Sequence, residues 1–545
     1  MMIIDTLHHL FISFIKEYAH VDEIPTHTFT LNVEQGKSSF GDISTNIAMV
    51  LAPRIKKTPR DVAREITNLF SHEAVASMEV AEPGFINITL TPAAWTAIAN
   101  DLAISGDAFF KLDTDTPRLD VNLEFVSANP TGPLHIGHGR GAIIGDVLAK
   151  VMNFIGHKAH TEFYINDAGN QVHKLGESFK ARCFKELGKE IPFPEDGYHG
   201  QYLIALAQQC AQEYGQDLLK KDDLFFADYA KKAMLEQQKR TLTNYGVTFD
   251  EWFSEKKLHD SGAIEAQLDA LTVRGYTYPK DLALWFRSTD FGDDKDRVLR
   301  KSDGELTYVA ADAAYLQNKV DRGFNKLIMV LGQDHHGYIV RLKGLLQASG
   351  YDPAMLDIIL YQLVSIKEGG EQVRLSKRAG RIVDLAEIIE EVGTDVARFF
   401  YLQRKADAHL EFDLDLALKK TEENPVYYIQ YAYVRINSIL VKAAEQGLKS
   451  VLDSHYLREE ERALLRKIVG LKHLLTTISN TYQTHLLAHY AIELAQQFHH
   501  YYAHSRVIDM DNLAQSNSRL FILKVLYQTL ERCLRLLGLS RPEKM

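Results

Sequence analysis

The chain has 545 residues, 46% of them apolar and 25% charged, with a net charge of −10 at neutral pH. At about 150 residues per domain this is a multidomain globular protein, and no apolar run reaches the ~18 residues of a membrane span. The first residues lack the basic lead and cleavage site of a signal peptide, and the three separated cysteines (Cys183, Cys210, Cys533) suit neither a zinc ribbon nor a disulfide framework, so a cytoplasmic protein without membrane contact is expected.

The first predicted element is a helix, since Ile3, Leu7, Leu10, Phe11, Phe14 and Tyr18 share one face. Gly41-Asp42 follows. Thr58-Pro59-Arg60-Asp61 reads as a helix start, with a cap residue, an early proline and an acid at the third position. Phe85 to Leu90 alternates as a strand does, and Asp113 to Pro117 reads as a linker. Residues 1–112 are therefore expected to form a small α+β domain.

Residues 113–415 read as an α/β domain. Val121 to Val126 is an apolar strand, followed by the turn Asn129-Pro130-Thr131-Gly132-Pro133. His135-Ile136-Gly137-His138 comes next, then a helical stretch, Ala142 to Leu148. A strand, a tight turn and a helix N-terminus make an anion-binding geometry, where histidines can donate to phosphate oxygens. The two histidines alone are equally compatible with metal ligation or with ordinary polar surface.

A second strand, Thr161 to Ile165, ends in Asn166-Asp167. Residues 171–280 are polar and helical and read as an insertion between two halves of a sheet. Strand character returns at Leu282 to Phe286 and at Lys326 to Leu331, the latter ending in Gly332-Gln333-Asp334-His335-His336. A basic loop holds Arg374-Leu375-Ser376-Lys377-Arg378. Such alternation predicts a doubly wound parallel sheet of Rossmann type.

Residues 416–545 read as an all-α bundle, with helices near 421–442, 457–480, 484–505 and 515–537. Leu464, Leu465, Ile468, Leu471, Leu474 and Leu475 keep the helical period. This last quarter has about 15 Lys/Arg against about 10 Asp/Glu, an excess that permits RNA binding.

His135-Ile136-Gly137-His138 resembles the HIGH signature of class I aminoacyl-tRNA synthetases, and Arg374 to Arg378 resembles their KMSKS loop. HIGH-like motifs also occur in small adenylyltransferases; the second motif, in order after a Rossmann-like stretch, narrows the choice. Glu124 to Pro133, Val392 to Leu402, Asn424 to Arg435 and the C-terminal Leu536 to Met545 are each similar to the arginyl-tRNA synthetase family. Many members replace the loop lysine with one just before the HIGH histidines; here that place is Thr131, and Lys377 is kept.

The resemblance implies an ATP-dependent arginine–tRNA ligase working through arginyl-adenylate. Mg-ATP, L-arginine and tRNA(Arg) are the expected partners, a monomer the expected state, and no resident metal is expected. It assigns His135, His138 and Lys377 to catalysis. It assigns His135, Gly137, His138, Arg374, Ser376 and Lys377 to ATP. Arginine falls to Glu124, Ser127, Asn129, His135, Tyr308, Asp312 and Gln333. The tRNA elbow falls to Phe85 and Asn87, and the anticodon to the bundle, with Tyr431, Tyr433 and Arg435. Another class I synthetase or a HIGH-motif adenylyltransferase is the alternative.

Overall fold

The structure is a computed structural model that describes residues 3–24, 27–33, 40–373 and 384–545. The chain forms two compact units. One is Pro117–Lys419 with Tyr482–His485; the other joins Met1–Thr116 to Lys420–Thr481 and Leu486–Met545.

In the discontinuous unit, β1 (Phe29–Leu31), β2 (Ile43–Thr45), β3 (Val75–Ala81) and β4 (Phe85–Leu90) form an antiparallel sheet in the order β1-β2-β4-β3. The helix Pro59–Leu69 starts where the sequence predicts, with the Thr58 side chain accepting the Asp61 N–H. The four C-terminal helices are Pro425–Glu445, Glu459–Thr481, His485–His504 and Leu513–Leu537. Buried charges bind the two ends of the chain within this unit. One Asp42 oxygen pairs with Arg466 at 2.6 Å, and the other accepts from the Leu90 N–H and the Trp95 indole. Asp107 accepts from Arg532 and Arg535.

The other unit contains, in chain order, β5 (Asp120–Phe125), β6 (Lys158–Ile165), β7 (Glu251–Ser254), β8 (Thr277–Lys280), β9 (Ala283–Phe286), β10 (Arg297–Arg300), β11 (Lys326–Gly332), β12 (Leu356–Tyr361), β13 (Val364–Glu368), β14 (Glu371–Val373) and β15 (Leu410–Asp413). Five of these make a parallel sheet in the order β12-β11-β5-β6-β7. The strand order reverses between β5 and β11. In doubly wound sheets ligands bind at such a point, outside the C-terminal strand ends.

Two expectations need correction. The stretch 171–280 is not wholly an insertion, because β7 within it is the edge strand of the parallel sheet. A four-residue strand carries too little periodicity to be read from sequence. The true helical excursion, Asn170–Glu186, Gln201–Tyr214 and Asp223–Asn244, packs around its own apolar core. The strand near 282–286 is real but belongs to a separate antiparallel sheet with β8 and β10. Asp281 and Leu282, both at positive φ, make the two-residue turn before it.

Candidate active site

The site begins where β5 ends. Val126 and Ser127 both adopt left-handed backbone, with φ of 69° and 40°. Such strain persists only when the surroundings over-determine it. Here the Ser127 hydroxyl donates to Glu124 Oε1 at 3.0 Å and accepts the Tyr164 N–H at 3.1 Å. The following turn is held from the helical excursion. Gln238 donates to the carbonyls of Asn129 and Gly132, and Tyr202 to that of Thr131.

The helix Ile136–Ile155 then starts with His135 as its cap. His135 Nδ1 accepts the Gly137 N–H, and His138 Nδ1 accepts the His135 N–H, each at 3.1 Å. A Cβ on Gly137 would sit 2.9 Å from the His135 ring, so any larger residue there would push that ring from its place. The two rings stack at 3.6 Å. Burial lowers the His135 pKa; burial, then His135, brings His138 down to about 3. Both imidazoles are therefore neutral at pH 7. With Nδ1 accepting, Nε2 carries the proton and donates. Paired neutral donors at a helix N-terminus suit phosphate oxygens.

This turn is anchored on several sides. The Leu385 N–H donates to the Leu134 carbonyl, and the Tyr401 hydroxyl to that of Ile136. The fully buried Arg140 donates to the carbonyls of Gln362, Lys405 and Ala408 at 2.9, 2.8 and 2.8 Å.

The helix Tyr308–Asp321 supplies a second set of groups to this unit. Tyr308 is exposed, and Asp312 follows one turn later. Burial, then Glu124 and Glu255, pushes the Asp312 carboxyl up to about 7. The Glu255 carboxyl, just after β7, is raised as well, chiefly by burial. Asp312 and Glu255 lie close enough to interact electrostatically, with His259 Nε2 3.6 Å from Glu255 Oε1; two neighbouring carboxylates favour a cationic ligand. Gln333 stands at the C-terminal end of β11, beside the reversal of strand order.

Ser127 follows the C-terminal end of β5, His135, Gly137 and His138 open the next helix, and Gln333 follows the C-terminal end of β11, while Asp312 interacts electrostatically with Glu124 of β5; Tyr308 is exposed one turn before Asp312. Asn129 is exposed, its carbonyl held by Gln238. Glu124, expected among the arginine-binding residues, has partners within the protein. It is buried, with Oε2 on Lys319 at 2.6 Å and Oε1 on Ser127. Arg374, Ser376, Lys377 and Arg378 lie outside the described residues. Glu255, Lys319 and Arg140 escaped the sequence reading. Only Glu255 left a trace, as an acid one residue beyond the apolar Trp252-Phe253.

In the bundle, Arg435, Lys442, Tyr502, His504 and Arg506 line a basic groove of about 570 Å³. Arg435 donates to the Tyr502 hydroxyl at 2.9 Å. Tyr431 is exposed and stacks on His499. Tyr433 is buried, its hydroxyl bonded to Tyr527 at 2.7 Å, so it packs the bundle and offers no surface for RNA. Asn87 is likewise buried and accepts from Ser44, whereas Phe85 is half-exposed.

Comparison with known proteins agrees with this geometry. Residues 5–90 match the arginyl tRNA synthetase N terminal domain, 110–406 the catalytic domain of class I (R) tRNA synthetases, and 429–545 the DALR anticodon binding domain. The arginine–tRNA ligase of Geobacillus kaustophilus is 43% identical over 537 residues, covering 97% of this chain and 96% of that protein. The chain belongs to the arginyl-tRNA synthetase family. The Bacillus subtilis arginine–tRNA ligase is 44% identical over 514 residues, covering 93% and 92% of the two chains. The Thermus thermophilus arginyl-tRNA synthetase structure shares the fold, with a TM-score of 0.75 at 20% identity over the whole of both chains. ATP is a substrate of class I synthetases, the class whose catalytic domain residues 110–406 match.

Proposed function

We propose that the crevice beyond β5 and β11 binds L-arginine and Mg-ATP together and forms arginyl-adenylate, which is then transferred to the 3′ ribose of tRNA(Arg). The activity is arginine–tRNA ligation. No side-chain nucleophile is required: the arginine carboxylate attacks the α-phosphorus, pyrophosphate leaves, and a tRNA hydroxyl displaces AMP. The work of the protein is positioning and charge stabilisation. His135 and His138 donate from Nε2 to phosphate oxygens. Lys377, with Arg374 and Ser376, is assigned to the departing pyrophosphate on the resemblance alone. Mg2+ enters with ATP, as part of the substrate. The chain acts as a cytoplasmic monomer, away from membranes.

The observation that carries the amino-acid assignment is the acidic recess at Asp312 and Glu255. A guanidinium is planar and permanently charged, and it answers two carboxylates at once. The test is ATP–pyrophosphate exchange with each amino acid in turn, with and without total tRNA. Arginine alone should support exchange, and only with tRNA present. Exchange driven by another amino acid would reject the assignment.

The recess also fixes a pH dependence. Arginine binds the ionised Asp312, so a proton competes with it. The KM for arginine should be level above about pH 7 and rise as pH falls through that value, approaching ~10-fold per unit. A KM that stays level down to about pH 6 would show that Asp312 does not face the guanidinium.

The basic groove is proposed to take tRNA phosphates. Arg435→Ala should weaken tRNA binding and reduce the salt dependence by about one counterion, leaving the arginine KM unchanged. Tyr433→Phe should leave tRNA affinity unchanged and cost about 1 kcal/mol of stability through the lost hydroxyl bond. Filter binding across a salt series and thermal unfolding measure both. An unaltered salt slope for Arg435→Ala would remove the groove from the RNA path.

A further inference from the structure

Glu124 on β5 and Glu162 on β6 are direct register partners on adjacent parallel strands, and both are buried. Two like charges opposed in this way repel. One fully buried lysine lies between them. Lys319 lies 2.6 Å from Glu124 Oε2 and 3.7 Å from Glu162 Oε1, with its ammonium over the Tyr315 ring at 4.3 Å. Glu162 is completed by the Tyr315 hydroxyl and by Arg322. Lys319 shares a helix with Tyr308 and Asp312, and Asp312, Tyr315 and Lys319 follow one another at helical spacing along the face turned to the sheet.

Glu124 in turn holds Ser127, whose hydroxyl caps the Tyr164 N–H and keeps the left-handed Val126-Ser127 turn. An unbroken chain therefore runs from Lys319 through Glu124 and Ser127 to the backbone entering the HIGH turn. The same lysine ties the helix of Asp312 to β5. We propose that Lys319 is a positioning residue for arginine: it sets the distance between the Asp312 helix and the Ser127 turn without touching substrate. This rests on the reading of the recess as the arginine site.

A residue that only stabilised the fold would change both substrates together. A positioning residue for arginine splits them. Lys319→Met should raise the arginine KM at least ~10-fold, the scale of coupling within one buried network, while the ATP KM stays within about 3-fold. Lys319→Arg, which can still bridge both carboxylates, should return the arginine KM to within about 3-fold of wild type. Ser127→Ala should also raise the arginine KM. Combined with Lys319→Met it should add little, because both break one chain.

The assay is tRNA-dependent exchange by the full-length enzyme, with melting temperatures measured in parallel. Additive losses, or equal losses for arginine and ATP, would overturn the proposal. Should Lys319→Met fail to fold, Lys319→Gln replaces it, since its amide can still donate to one carboxylate; if neither folds, Lys319 serves stability alone and the proposal falls. Wild-type arginine dependence separates the two claims. Were it absent, the arginine site itself would be misassigned; with it present, misbehaving variants count against Lys319 only.

Discussion

Asp312→Ala should lower kcat/KM for arginine by at least ~100-fold, almost all of it through KM. Breaking a buried ion pair by removing one partner costs about 3–5 kcal/mol, because the remaining charge stays desolvated. Glu255 remains in the variant, so binding is weakened rather than abolished. ATP affinity should change little, since the histidines proposed to meet the phosphates stand on a different helix. In the wild type, citrulline should be rejected by about 10⁴-fold, because its neutral urea leaves the carboxylates unanswered. Lysine should fail as well, as an ammonium cannot span two acceptors in a plane. Steady-state arginylation with the three amino acids, for both proteins, is decisive. Normal arginine affinity in the variant, or good use of lysine by the wild type, would dismantle the pocket.

His138→Ala should reduce the rate of adenylate formation by ~100- to 1,000-fold, the range seen when one preorganised donor is removed from a developing negative charge. The arginine KM should be almost unchanged. The helix also loses the side chain that accepts the His135 N–H, so about 1 kcal/mol of stability should go with it. The histidine is neutral in the free protein. The wild-type rate should accordingly show no imidazole inflection between about pH 6 and 9 once arginine is saturating. Rapid quench in single turnover isolates the step. A variant with wild-type single-turnover rate would assign the phosphate contacts to other groups.

The parts of this molecule that were legible in its sequence are those whose causes are local. Pro59 and its cap announce a helix start, and the Pro/Gly turn between a strand and His135 announces the phosphate end of another. The four bundle helices lie within a few residues of their periodic pattern. What stayed hidden depends on partners far along the chain. Glu255 is an ordinary acid until a four-residue strand carries it beside Asp312. Lys319 carries no sequence signal, yet it is fully buried between two glutamates. Tyr433 looked available to RNA, and Tyr527 takes its hydroxyl from the last helix. Cys183 and Cys210, widely spaced in sequence, share one apolar core.

The pairing of Asp42 with Arg466 has a consequence in time. The two residues are 424 positions apart. During synthesis the amino-terminal sheet leaves the ribosome long before its arginine exists, whereas Pro117–Lys419 is almost wholly continuous in sequence. Chains are made at ~5–20 residues per second, so Asp42 waits tens of seconds for its counter-charge. The nascent amino-terminal region must therefore remain soluble with a carboxylate still hydrated where a dry ion pair will later form. The discontinuous unit can close only after its later segments have been made, whereas Pro117–Lys419 has almost all of its own residues much sooner.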